Sequence, residues 1–177
     1  MSEVKRYHPT LVVLHWLLAI AIAGAFIMGA FVLGGIKNDA PEKLQLLQMH
    51  VIGGASILIL TLLRLIVRLK TAKPAPVVTD NPKMDKVGTS VQHALYLVTV
   101  LAALSGMALA IKSDLLNVLF NQVGTLPADF EGYAAHGVHG LMAAMLIGLT
   151  LVHVAGALKH QLLLKNGIFS RMSLRKE

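Results

Sequence analysis

The chain has 177 residues, of which 55% are hydrophobic and only 14% charged, and no soluble domain of this size dilutes its charge so far. Its formal charge of +7 comes from basic residues beside apolar blocks, the pattern that orients membrane helices, so nucleic acid is set aside as a partner. The absence of cysteine excludes disulfides, cysteine-held iron–sulfur clusters and covalent c-type haem, leaving His, Met or Tyr to hold any redox cofactor.

The apolar residues come in blocks of 18 or more, long enough for the roughly 30 Å hydrocarbon core of a bilayer. A short polar lead carries Lys5 and Arg6, and the first predicted span covers about residues 11–34. Ala23-Gly24-Ala25 looks like a signal-peptidase site, but the apolar stretch continues well past it and reads as a retained span. After a turn-rich loop with Pro41, a second span covers about residues 44–69. Residues 70–89 contain Pro74, Pro76, Pro82 and several lysines, and read as a connecting loop. The third span covers about 90–111, and the loop that follows includes a short interfacial helix over 115–120. The fourth span covers about 134–158, with a basic tail behind it. No internal repeat or second domain is visible, so residues 1–177 read as one all-α, four-helix transmembrane domain in a lipid membrane.

Basic residues gather on one side of these spans. Lys5 and Arg6 precede the first, while Arg64, Arg68, Lys70, Lys73, Lys83 and Lys86 flank the second connection. Lys159, Lys165, Arg171, Arg175 and Lys176 lie in the tail, and the other side holds only Lys37, Lys43 and Lys112. Both termini are therefore expected in the cytoplasm.

Ionisable groups inside a span are costly and mark functional positions. His15 and His153 lie at similar depth near the cytoplasmic ends of the first and fourth helices, and His50 and His139 lie near the opposite face on the second and fourth. From His139 to His153 the chain takes 14 residues, which advances about 21 Å and returns to nearly the same helix face. One imidazole pair thus falls at each of two depths, the arrangement that holds a haem iron from both sides. Zinc would want three or four ligands at one level. His136 is rotated off this stripe, and His160, seven residues beyond His153, is a third candidate near the surface. For His93, one turn into the third helix, a core hydrogen bond and a quinone contact are both open.

Arg64 stands 14 residues after His50, on nearly the same face and one level towards the cytoplasm, where its donor fork suits a haem propionate. Gly53 and Gly54 near His50, and Gly156 near His153, remove side chains where a flat ring must approach. Trp16 beside His15 belongs to the same haem environment or anchors the interface.

Taken together, these residues resemble the bacterial cytochrome b561 family of four-helix di-haem b cytochromes. The resemblance runs through Leu14-His15-Trp16-Leu17, Met49-His50 to Gly53, Arg64 and Arg68, then His93 with Leu95-Tyr96. It continues through Gly106, His139, His153 and Phe169-Ser170-Arg171-Met172. The family's haem-ligand positions fall on His15, His50, His139 and His153. Two features depart from it: Lys159-His160 replaces two adjacent histidines, and no proline precedes Gly106.

The resemblance implies a bacterial inner-membrane protein with two non-covalent haem b groups and ubiquinone as a substrate. It implies electron flow from an outer haem (His50, His139) to an inner one (His15, His153), with quinone near His160, Lys159 and His93. One branch takes electrons from superoxide; other members resemble membrane subunits that connect a periplasmic dehydrogenase to quinone. The outer loops carry more acidic than basic residues, which opposes steering of an anion.

Overall fold

The computed structural model describes residues 6–77, 79 and 81–174. Lys5, Arg175 and Lys176, counted above among the basic flanks, lie outside the described residues. Among the described residues, four helices are long and apolar enough to cross a membrane, over residues 9–35, 43–70, 82–112 and 134–163.

Helix α1 (Pro9–Phe26) starts on Pro9, whose missing N–H costs nothing in a first turn, and on His8, whose Nδ1 accepts from the Thr10 amide at 3.3 Å. It runs on as a π-helical stretch, Ile27–Val32, and a closing 3-10 turn, Leu33–Gly35. Helix α2 (Lys43–Lys70) ends with Arg68 and Lys70 in its last turn, where cations complement the helix dipole. Helix α4 (Ala134–Leu158) continues as a π-helical turn, Lys159–Leu163, and a short helix α5 (Ile168–Arg171) follows.

Helix α3 (Pro82–Lys112) begins at Pro82, so much of the expected connecting loop before residue 90 is helical. Its start is built from local chemistry. The Asn81 side chain accepts from the Lys83 and Met84 amides, Pro82 occupies the first turn, and Asp85 accepts from Thr79 N at 3.0 Å and Thr79 Oγ1 at 2.8 Å. The prolines and lysines that look like loop chemistry are here a polar extension of an apolar helix. Asn81→Ala should lower stability by about 1 kcal/mol, measurable as a reduced Tm in detergent with unchanged cofactor content.

Large apolar side chains point outward, with Ile20 at 71%, Phe31 at 70% and Leu69 at 72% exposure. Water would not tolerate such faces; lipid does. The most extensive packing is α3 on α4, followed by α1 on α2 and α2 on α3. Buried hydroxyls are satisfied within their own helices, as Thr61 donates to Ile57 O (2.7 Å) and Thr99 to Leu95 O (2.6 Å).

The first and last described segments meet at one end of the bundle, tied by Tyr7 N to Arg171 O (3.2 Å), Trp16 Nε1 to Met172 O (3.0 Å) and Arg171 Nη1 to Ala75 O (2.6 Å). At the far end, the stretch after Lys112 turns through Asp114 (φ 54°) into a π-helical turn, Asn117–Asn121. Its Leu115 and Leu119 are buried with Leu33, Leu47 and Ala110, so this piece closes the bundle end.

Candidate functional site

The four in-span histidines meet as two pairs. At the end where Tyr7 meets Arg171, His15 on α1 faces His153 on α4 with ring centroids 6.2 Å apart and planes at 75°. Towards the far end, His50 on α2 faces His139 on α4 at 6.1 Å and 84°. Both pairs stand edge-on at the long end of a T-shaped ring contact, and the same spacing suits an ion held between two imidazoles. A metal–imidazole nitrogen bond is about 2 Å, and two such bonds plus two ring half-widths fill the gap. Among the described residues no group of three or more His, Cys, Asp or Glu gathers to hold a metal.

The His50/His139 pair is shaped by its neighbours. His139 Nδ1 lies 2.9 Å from Ala102 O and 3.3 Å from Ser105 Oγ, both on α3. A carbonyl can only accept, so Nδ1 carries the proton and Nε2 keeps the lone pair that a metal needs. Ser105 Oγ donates to the same carbonyl at 2.9 Å. A Cβ on Gly106 would sit 2.9 Å from His139 Cε1, and a Cβ on Gly29 would sit 3.2 Å from His50 Cε1. The His139 ring therefore occupies space that a side chain at Gly106 would take, and His50 sits tightly against Gly29. An apolar cavity lies between the helices against His50 and His139, and Ala25, Gly54, Ala102, Ala103 and Ala143 among its walls are all small. His50 Nδ1 is buried with no hydrogen-bond partner.

Beside the His15/His153 pair sits a cationic cluster. Arg64 donates from Nη1 to the Tyr96 hydroxyl, with its guanidinium carbon 5.1 Å from that ring's centroid, and Arg68 stacks there at 5.9 Å. Arg68 Nη2 also donates to Gln92 Oε1 at 3.3 Å. Arg64 Nη2 approaches His15 Nδ1 at 3.5 Å, the outer limit of hydrogen bonding, and Arg64 Nε is buried without a partner. Arg64 is thus at the His15 level, as its 14-residue step from His50 implied.

The model of the prokaryotic cytochrome b561 family matches residues 6–173. The chain belongs to that family. It is therefore a multi-pass membrane protein that binds haem b and transfers electrons. It is similar to cytochrome b562 of Cereibacter sphaeroides, 28% identical over 97% of this chain and 98% of the relative. It is also similar to cytochrome b561 homolog 2 of Escherichia coli strain K12, 26% identical over 95% of this chain and 91% of that one.

Against this family background, the remaining sequence candidates divide. Trp16 packs edge-on against His15 at 5.3 Å between centroids, and its indole N–H is held by Met172 O. Gly54 lines the cavity, but a Cβ on Gly53, Gly54 or Gly156 would meet nothing within 4 Å. His160 Nδ1 accepts from Asn166 Nδ2 at 2.8 Å, and Lys159 Nζ reaches Met84 Sδ at 3.1 Å. His93 is exposed on α3, which does not fit a core hydrogen bond. His136 is exposed beside Phe130, off the histidine stripe.

Gly29 was not among the sequence candidates. A signal for it existed, since it follows His15 by the same 14 residues that separate His50 from Arg64 and His139 from His153. Ser105 and Ala102 carry no such periodic mark, and only their contacts reveal them; Tyr96 belonged to the resemblance, but its contact with Arg64 did not show in the sequence.

Proposed function

We propose that this b561-family cytochrome carries electrons across the bacterial inner membrane, from a donor on the periplasmic side to the ubiquinone pool, through two haem b groups. His50 and His139 would hold the iron of the outer group, and His15 and His153 that of the inner. The observation that carries this reading is the pair of matched imidazole gaps, 6.1 and 6.2 Å, at two levels of α4, one shared with α2 and one with α1. The small-residue cavity and the glycine clearances at the outer pair fit a flat macrocycle. Both termini face the cytoplasm on the charge bias of the flanks, and the whole chain acts as one haem-carrying unit.

Haem b, when bound, supplies a one-electron ferric–ferrous couple whose potential its surroundings set. The protein's own part is positional and electrostatic. Ala102 O orients His139 and raises its basicity as a ligand. Gly29 and Gly106 let the outer imidazoles keep their rotation. Arg64 and Arg68 offer two guanidinium groups at the inner level, stacked on Tyr96 and suited to pairing with propionate carboxylates. Arg64→Leu should weaken inner-haem retention by about 10- to 100-fold, read as loss of one component from the redox difference spectrum. Quinone would meet the inner level near His160, Lys159 and His93.

Superoxide is the leading donor. Its test is haem reduction by a superoxide flux in the purified protein; reduction no faster than spontaneous dismutation sinks it. One observation favours a second reading, in which a periplasmic dehydrogenase docks on the outer face and this chain is its membrane subunit. Lys43 is buried, so the exposed outer charges are Lys37 and Lys112 against Asp39, Glu42, Asp114, Asp129 and Glu131. That surface steers anions away. Co-purification of a dehydrogenase from native membranes supports this second reading, and its absence under mild solubilisation counts against it.

A further inference from the structure

Lys43 is the most buried charged residue among the described ones, at 4% exposure. Its Nζ donates to Leu33 O and to Ile36 O, both at 2.6 Å. These carbonyls belong to the end of the first membrane span, where the last turn leaves acceptors without intrahelical partners and favours a cation. Both acceptors are neutral backbone carbonyls. The ammonium is therefore held in place by groups that do not cancel its charge.

Its position relative to the outer histidine pair follows from α2. Seven residues separate Lys43 from His50, about 10.5 Å along the axis and within about 20° of the same face. Leu47 stands between them on that face, buried with Leu33, Ala110, Leu115 and Leu119. The interval is packed with hydrocarbon, where a charge acts at low dielectric and salt does not screen it.

We propose that Lys43 is a fixed positive charge that raises the reduction potential of the His50/His139 centre. Reduction places one more electron at that centre, and a cation held nearby stabilises the reduced form more than the oxidised one. The charge favours acceptance of an electron at the outer end, whichever donor supplies it. This inference rests on the two-centre reading above.

The test is a spectroscopic redox titration of the purified holoprotein as wild type, Lys43→Gln and Lys43→Arg. Gln can still donate to the two carbonyls but carries no charge; Arg keeps both functions. In Lys43→Gln the ratio of reduced to oxidised outer haem at fixed potential should fall about tenfold, a downward shift of ~59 mV for one electron. The inner centre should not move, and Lys43→Arg should lie close to wild type. Lys37→Gln, at an exposed position, should shift neither centre. An unshifted outer potential in Lys43→Gln overturns the inference. So does an equal shift of both centres, a fall in Lys43→Arg as large as in Lys43→Gln, or loss of the outer haem from Lys43→Gln, which would assign Lys43 a structural role. Wild-type protein that binds a single haem would instead sink the two-centre reading itself.

Discussion

His139→Ala should yield protein carrying one haem per chain, held at the His15/His153 level. The two pairs share α4 but lie about 21 Å apart along it, so loss of one ligand leaves the other centre's geometry alone. The partner His50 cannot compensate. Its Nδ1 is already buried without a hydrogen bond, and the small residues lining the cavity offer no replacement ligand. His153→Ala should give the reciprocal product, with the outer centre intact. In membranes, either variant should abolish transfer between outer donor and quinone, because each leaves only half the path. Haem per polypeptide, measured with the residual redox spectrum, checks both. Loss of both haems from His139→Ala would mean that the centres assemble cooperatively rather than independently.

Gly106→Val should have an effect nearly as large for a different reason. A Cβ at Gly106 would meet His139 Cε1 at 2.9 Å and Nδ1 at 3.1 Å. The ring has little room to yield, because Ala102 O, one turn earlier on the same helix, already holds Nδ1 at 2.9 Å. Overpacking of this kind costs about 1–3 kcal/mol, and here the strain falls on a ligand. Helix propensity works the other way, since replacing glycine within a helix by alanine gains about 1 kcal/mol. The variants should thus keep their helix content while losing the outer haem. Gly29→Ala, with its contact at 3.2 Å, should lose it less completely. Gly53→Ala is the control, because its Cβ would meet nothing within 4 Å. Retention of the outer haem in Gly106→Val, or its loss in Gly53→Ala, would contradict this account.

The histidine pairing was legible in the sequence because a membrane helix is a simple ruler. Hydrophobic length fixes each span, charge bias fixes which ends align, and a fixed rise per residue converts position into depth. Arg64 could be placed at the level of His15 by the same means. What failed was of two kinds. The start of α3 was missed because Asn81, Pro82 and Asp85 serve equally as loop punctuation and as a helix cap, and only the Thr79 and Asn81 hydrogen bonds decide between them. Neighbours across helices were missed because helix rotation is not written in any one segment. Gly53 and Gly54 are close to His50 in sequence, yet the glycines that clear space for the rings are Gly29 and Gly106, on the neighbouring spans. Lys43 is a third example. Its position at the start of a span reads as an exposed outer charge, and only the two carbonyls of the preceding turn show that it is buried.

The most direct measurement is haem stoichiometry combined with low-temperature electron paramagnetic resonance on the oxidised, purified protein. The account predicts two b haems per chain, both low-spin with two imidazole ligands. Both signals should be strongly anisotropic, because the ligand planes stand at 75° and 84° to one another. One haem per chain, or a high-spin signal from either centre in intact protein, would contradict it.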